Sequence, residues 1–428
     1  MKKNRILAIL LTFVMLASML SACSKNDSNK NESNTTSNQQ SASEQKNENN
    51  TTNNTASSSE KTGVIKIGSI HDLSGNGSVL GNASVQGHKL AIEDINNAGG
   101  VKIGDTTYTL ELVSYDCKSD PNEGISALKR LAEVDNVALV LGPSLSNVGL
   151  ATAPYTEEYG ISFLGQFGDP RCMLGENLDS LNRYMFLMQP SSHQSAIISG
   201  AYMIEKFGYT KVGMLIAQDH SYCASQANAF MNYCKEMGIE IVAEEYNKQS
   251  DMDMKTQLTT IKNKGAEFIF NANPTQPLVV STSQKYQLGI DIPQTGSLDF
   301  SAPFATLVSD PAMASNIYFV SNVDYDDPDY LELSKKCKEA FGEEATVKTA
   351  LGYDQVLLAV AAIKEAGSLD REAIRNAIEN LKNVDTLITD NFTMDPETHI
   401  PLGLEMCIYK IENGEYKMVE WYVPDYLK

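Results

Sequence analysis

Ser146 sits where simple chemistry is easiest to read. It ends the run Gly142-Pro143-Ser144-Leu145-Ser146, between the apolar stretch Val137–Leu141 and a helix-forming segment. A serine there caps the helix, and a helix start attracts anions through free N–H groups and its dipole. A ligand carboxylate would rest on the Ser146 hydroxyl and the next amides, Asn147 included. The competing reading is a plain cap with no ligand. Other chemistry is harder to find. The five histidines, His71, His88, His193, His220 and His399, have no metal-ligand spacing, and HExxH, GxSxG and GxxxxGK[ST] are all missing. Gly75-Asn76-Gly77-Ser78-Val79-Leu80-Gly81 is spaced GxGxxxG rather than GxGxxG. It therefore reads as a flexible loop after a strand, at the sheet edge where open α/β folds bind ligands. Of seven cysteines none forms a CxxC pair, which argues against a zinc ribbon. Cys117, Cys172, Cys223, Cys234, Cys337 and Cys407 are expected mostly as buried free thiols. No catalytic residue, cofactor or metal site is expected.

The elements that must position Ser146 form an alternating series. Val64–Ile70, Tyr108–Tyr115, Val137–Leu141 and Ile161–Leu164 read as strands; Gln86–Asn97, Glu123–Val134 and a segment after Ser146, kinked at Pro154, read as helices. The alternation restarts with helix Gln194–Phe207, strand Lys211–Ala217, helix Ala224–Met237, strand Glu240–Glu245, helix Met254–Lys264, strand Phe268–Asn271 and helix Pro277–Leu288. Repeated βα units imply parallel sheets with helices on both faces, and two series imply two α/β lobes. Helices Val347–Ala366 and Asp370–Leu381 follow, then strands Met406–Ile411 and Tyr416–Tyr422 around an Asn413-Gly414 hairpin turn.

The ends and the charge bound the function class. The chain has 428 residues, 42% of them hydrophobic, and a net charge of −20. Such acidity argues against nucleic acid and against docking on anionic lipid through a basic face. Lys2, Lys3 and Arg5 precede a 15-residue apolar stretch, Ile6 to Leu20, too short for a membrane span. Residues 1–22 are read as an export signal, and Leu20-Ser21-Ala22-Cys23 resembles the lipobox of bacterial lipoproteins, in which the cysteine is lipidated. Residues 24–62 hold 28 Asn, Ser, Thr or Gln and no Val, Ile, Leu, Met or aromatic residue. Residues 23–62 are thus expected as a disordered tether, spanning ~35 Å by the random-coil rule. The remaining body, 63–428, carries −22.

Within that body Ile67-Gly68, Leu73-Ser74-Gly75, Gly81, Gly87, Ala91-Ile92-Glu93-Asp94-Ile95-Asn96 and Gly99-Gly100 resemble the opening of type I periplasmic binding proteins, closest to the leucine/isoleucine/valine-binding branch. Tyr115-Asp116, Asp120-Pro121, Gly142-Pro143 with Ser146, Ala153-Pro154, Asp219 with Tyr222, Gly352-Tyr353-Asp354 and Phe392-Thr393-Met394-Asp395-Pro396 fit in the same order. The resemblance implies two doubly wound parallel-sheet lobes joined by a three-segment hinge. Residues 64–187 plus 322–386 would form lobe 1, and 188–321 plus 387–428 lobe 2. It implies a monomeric lipoprotein, anchored through Cys23 on the outer face of the cell membrane. Such a protein delivers a small molecule to an ABC permease and ATPase complex. It puts Ser146 at the carboxylate site and Tyr222 over the ligand. Leu80 replaces an aromatic residue of the branched-chain binders. Phe167-Gly168-Asp169-Pro170 stands where amino-acid binders carry Ala-Thr-Asn-Pro; Gly168 has no hydroxyl, and Phe167 offers a carbonyl or a stacking face. Asp299, beside Leu298, falls near the acidic partner of the ligand ammonium. Leu145 takes one cysteine position of a family disulfide. An amino acid is the expected ligand; another small carboxylate, an amide-type solute, or a sensor role are the alternatives.

Overall fold

The computed structural model describes residues 61–427 except 297 and 302. The signal segment, Cys23 and the tether up to residue 60 lie outside the described residues. Lys61 and Thr62, expected in the tether, already belong to the first strand.

Strand β1 (Lys61–His71) buries Ile65, Ile67 and Ile70, as a strand covered on both faces must. The first sheet also contains β2 (Val101–Ile103), β3 (Thr106–Asp116), β4 (Val140–Leu141), β5 (Phe163–Gly165) and β6 (Met185–Leu187). Its order is β2-β3-β1-β4-β5-β6, with only the β2–β3 hairpin antiparallel. The second sheet contains β7 (Lys211–Ala217), β8 (Glu240–Asn247), β9 (Phe268–Ala272), β10 (Gln294–Gly296), β11 (Ile317–Ser321), β12 (Met406–Glu412) and β13 (Glu415–Tyr422). Its order is β13-β12-β11-β10-β9-β7-β8; β7 to β11 run parallel, and the final hairpin adds two antiparallel strands. Asn413 and Gly414 both have positive φ, as that tight turn requires.

Helices α1 (Ser78–Asn97), α2 (Pro121–Glu133), α3 (Ser146–Tyr159) and α4 (Arg171–Leu174) follow β1, β3, β4 and β5. Helices α5 (Ser192–Phe207), α6 (Ser221–Met237), α7 (Lys255–Asn263), α8 (Thr275–Gln287) and α9 (Phe304–Leu307) belong to the second series. The chain then returns to the first lobe with α10 (Pro328–Phe341), α11 (Val347–Ala366) and α12 (Arg371–Glu379), whose Leu333, Leu351, Ile363 and Ile374 share a core with Ile65 and Ile67. A separate core joins α5 and α6 to β7 and β9 through Ile198, Phe230, Met214 and Phe270.

Two differences from the sequence reading have physical causes. The loop after β1 ends at Gly77, and α1 begins eight residues before the expected Gln86. Its glycines serve close packing: a Cβ on Gly81 would lie 2.2 Å from the Asp72 carbonyl oxygen, and one on Gly87 2.0 Å from that of Thr349. The helix expected after Ser146 is present as α3, with Pro154 inside it. Residues 387–400, expected with the second lobe, pack on the first. Phe392 and Met394 lie in its core, and His399 stacks on Phe186 with ring centroids 4.1 Å apart. Leu187 N–H donates to the His399 carbonyl, so this segment closes the free edge of β6. All six described cysteines are buried free thiols. No helix among the described residues is long and apolar enough to cross a membrane.

Candidate ligand-binding cleft

In each sheet the strand order reverses at one place, between β1 and β4 in the first and between β7 and β9 in the second. Crevices at the carboxyl ends of such strands are where open α/β sheets bind ligands. The loop after β4 brings Ser146 to the first switch point, and the loop after β7 brings Tyr222 to the second.

Ser146 is buried at the first position of α3, and no side chain caps that helix. Its Oγ accepts the backbone N–H groups of Gly168 and Asp169, each at 3.2 Å. With its acceptor positions engaged, the hydroxyl keeps its hydrogen to donate. The first-turn N–H groups of α3 point the same way, as at any helix start. Asp169 carries a fully buried carboxylate, held by the Arg171 guanidinium at 2.7 Å and by the Arg171 N–H at 3.0 Å. The pair fixes the Gly168–Asp169 backbone that in turn holds Ser146.

Gly168 is where the lobes meet. A Cβ there would lie 2.3 Å from the Tyr222 ring, so the missing side chain lets the two loops approach. Asp299 follows β10 in a short 3-10 turn. Its neighbour Leu298 packs against both cores, which sets Asp299 at the junction of the lobes. Burial pushes the Asp299 carboxyl up to about 6, partly opposed by Lys348. It also lies beside the start of α6: burial raises the Cys223 thiol well above its ordinary value, and Asp299 and Asp219 add to that.

The structure thus gathers Ser146, Gly168, Tyr222 and Asp299. Leu80 is half-buried on the first turn of α1, and its carbonyl accepts from Ser84 Oγ at 3.0 Å. Asn147 is exposed, and its side chain has no hydrogen bond among the described residues. Phe167 corrects the sequence reading. Its ring is fully buried in the first lobe's core, where Cβ atoms on Gly149 and Gly165 would lie 2.9 and 2.0 Å from it. An apolar ring beside two glycines gains more from that core than from a wet cleft, so it offers no stacking face.

Several residues here carried no sequence signal. Lys348, second in α11, extends to the Gln166 carbonyl oxygen at 3.5 Å. Burial pulls its ammonium down to about 8, opposed by Asp299. Behind it runs a buried polar chain. His71 Nδ1 and Ser144 Oγ are hydrogen-bonded at 3.1 Å, and Ser84 Oγ donates to Gln166 Oε1 at 2.9 Å. Gln166 Nε2 donates to Gln355 Oε1 at 2.8 Å, which also pairs with His88 Nε2 at 2.8 Å. Burial, His88 and Lys348 together hold the His71 imidazole well below its ordinary value. At the hinge, Asn322 Nδ2 donates to Gln189 Oε1 at 3.4 Å, joining the first two crossings. No group of three or more His, Cys, Asp or Glu among the described residues is arranged to hold a metal.

Two sheets with reversing strand order, meeting at their carboxyl edges and joined by three crossings, are the architecture of type I periplasmic binding proteins. Residues 64–415 match the periplasmic binding protein family. The chain belongs to that family. A relative described as Leu/Ile/Val-binding protein homolog 7, from Brucella abortus, is 28% identical over 236 residues, 53% of this chain and 56% of its own length. The match therefore spans about half the length of the curated relatives. Among solved structures, the branched-chain amino acid transporter substrate-binding protein LivJ of Streptococcus pneumoniae, in complex with isoleucine, superposes with a TM-score of 0.75. It is 24% identical and covers 85% of this chain and 100% of its own. The leucine-binding protein LivK of Thermotoga maritima gives a TM-score of 0.73 at 21% identity, covering 85% of this chain and 100% of its own. A solute-binding protein of Rhodopseudomonas palustris in complex with 3,4-dihydroxybenzoic acid gives 0.72 at 21%, covering 84% and 97%. At these identities the likeness speaks for the fold.

Proposed function

We propose that this protein is an extracytoplasmic solute-binding lipoprotein that holds an amino acid between its lobes and delivers it to an ABC importer. The observation that carries this reading is Ser146 at the uncapped start of α3. Its hydroxyl accepts two backbone N–H groups and retains its own hydrogen for a carboxylate. Tyr222 and Asp299 face it from the other lobe; Asp299 supplies the negative partner for an ammonium. Closing the lobes about their crossings would bury the ligand. The described residues supply no nucleophile motif, and the reading is of binding without catalysis. Lobe 1 would comprise the first sheet with α1–α4 and α10–α12, lobe 2 the second sheet with α5–α9.

A small aromatic acid is the second reading. It is favoured by Gly168, which brings no hydroxyl for an ammonium and leaves its space to the Tyr222 ring. A thermal-shift screen of the purified protein with isoleucine, leucine, valine, glutamate, benzoate and 3,4-dihydroxybenzoate separates the two. A ligand at 100 times its Kd adds ~2.7 kcal/mol of stability. At least one amino acid should raise the melting temperature, and Ser146→Ala should weaken its binding by about tenfold or more. A response to the aromatic acids alone would replace the first reading with the second.

A further inference from the structure

Resting on the amino-acid reading, we infer that Lys348 selects the ligand's side chain, and that the site takes an amino acid bearing a second carboxylate. The inference comes from three groups gathered near the 166–169 loop and the start of α6: Ser146, Asp299 and Lys348. Ser146 and the first turn of α3 form one anion site. Asp299 forms one cation site. A zwitterion with an aliphatic side chain would engage Asp299 with its ammonium and leave the half-buried Lys348 ammonium with no carboxylate of its own, which is costly once the closed lobes exclude water.

Lys348 is not otherwise engaged. Its ammonium, with three donors, has one hydrogen bond among the described residues, to the Gln166 carbonyl at the long distance of 3.5 Å. It makes no ion pair there, with Asp299 or any other carboxylate. The position is nonetheless fixed. Val347, Ala350 and Leu351 bury the first turn of α11 in the core of the first lobe, and Thr346 caps that turn. Glycines hold the helix in place. A Cβ on Gly352 would meet the Ser84 carbonyl oxygen at 2.2 Å, and one on Gly87 that of Thr349 at 2.0 Å. Lys348 and Ser146 lean on the same loop, the first at Gln166 and the second at Gly168 and Asp169. A short dicarboxylic amino acid would span them, with its ammonium toward Asp299. Asp299 pushed up to about 6 and Lys348 pulled down to about 8 fit two half-buried charges that act on each other without forming an ion pair.

Calorimetric titration of the purified protein with L-glutamate, L-aspartate, L-isoleucine and benzoate tests this. In the wild type one of the two acidic amino acids should bind at least tenfold more tightly than isoleucine. Lys348→Met should abolish that margin, and Lys348→Arg, which keeps the charge, should preserve most of it. Isoleucine binding as tightly as the acidic amino acids in the wild type would overturn the inference and leave the amino-acid reading standing. So would a Lys348→Met variant that weakens isoleucine and glutamate alike. Binding of benzoate alone would overturn both, and binding of none of the four would overturn the inference. The wild-type comparison decides the matter even if Lys348→Met does not fold.

Discussion

At the scale of single residues, the proposed site depends on two half-buried charges of opposite sign. Asp299 is useful to a ligand ammonium only when ionised, and its carboxyl is pushed up to about 6 by burial. Lys348 is useful to a ligand carboxylate only when protonated, and its ammonium is pulled down to about 8 by burial. Affinity for an acidic amino acid should therefore rise as pH climbs through about 6 and fall again through about 8. Titration calorimetry from pH 5 to 9 measures this, and Asp299→Asn should remove the acid limb. Burial holds His88 and His220 at about 4, away from that limb. The sign for the ligand-free protein is opposite. A carboxyl raised in the folded state binds its proton more tightly there than when unfolded, so its contribution to stability shrinks as pH rises from 3.8 to about 6. Ser146 was legible as a helix cap after the apolar run Val137–Leu141, whereas Gly168, Tyr222 and Asp299 entered only through the family resemblance, Asp299 after a strand too short to read. Lys348 was not legible. A lysine near a helix start is ordinarily solvated, and only the fold brings this one beside Gln166 and within electrostatic reach of Asp299. The stacking face expected of Phe167 was misread for a related reason: the two glycines that admit its ring to the core, Gly149 and Gly165, both precede the Phe167–Pro170 motif and are not part of it.

At the scale of elements, long periodic segments were read well and closely packed or short ones poorly. The strand Lys211–Ala217 and the helix Val347–Ala366 appear with the expected ends. The first two turns of α1 were missed because glycines look like loop residues when their packing partners are distant in sequence. Strands β10 and β11 have only three and five residues and were passed over; so short a run carries little periodicity. The contact between α1 and α11 gives an element-scale prediction. Gly87→Ala would gain ~1 kcal/mol of helix propensity but force a methyl group against the Thr349 carbonyl and the Tyr353 amide, 2.0 and 2.7 Å away. Backbone atoms cannot yield as a flexible side chain does. Overpacking of this kind costs roughly 1–3 kcal/mol, occasionally more, so the net change should be a loss and the melting temperature should fall. The same variant should weaken ligand binding, because it displaces the turn that carries Lys348. A variant that melts at or above the wild-type temperature would mean that the two helices separate without strain.

At the scale of the whole molecule, charge and anchorage act in opposite directions. The body from residue 63 carries −22, so an anionic membrane surface repels it and adds no electrostatic attraction. No described helix is apolar and long enough to hold it in a bilayer. On the lipoprotein reading, membrane retention then rests on the acyl chains at Cys23 alone. Two chains on one residue suffice for stable anchoring where one is marginal. If residues 24 to 60 form the tether expected from their composition, a random-coil span of ~33 Å would let the body stand clear of the surface that repels it and still reach a transporter. Cys23→Ser should therefore move the protein from the membrane fraction to the soluble fraction, with no change in ligand affinity or melting temperature. A high-salt wash should not release the wild type, since no ionic contact holds it. Retention of Cys23→Ser in the membrane fraction would show that another contact fixes the protein there, and its release by salt would identify that contact as electrostatic.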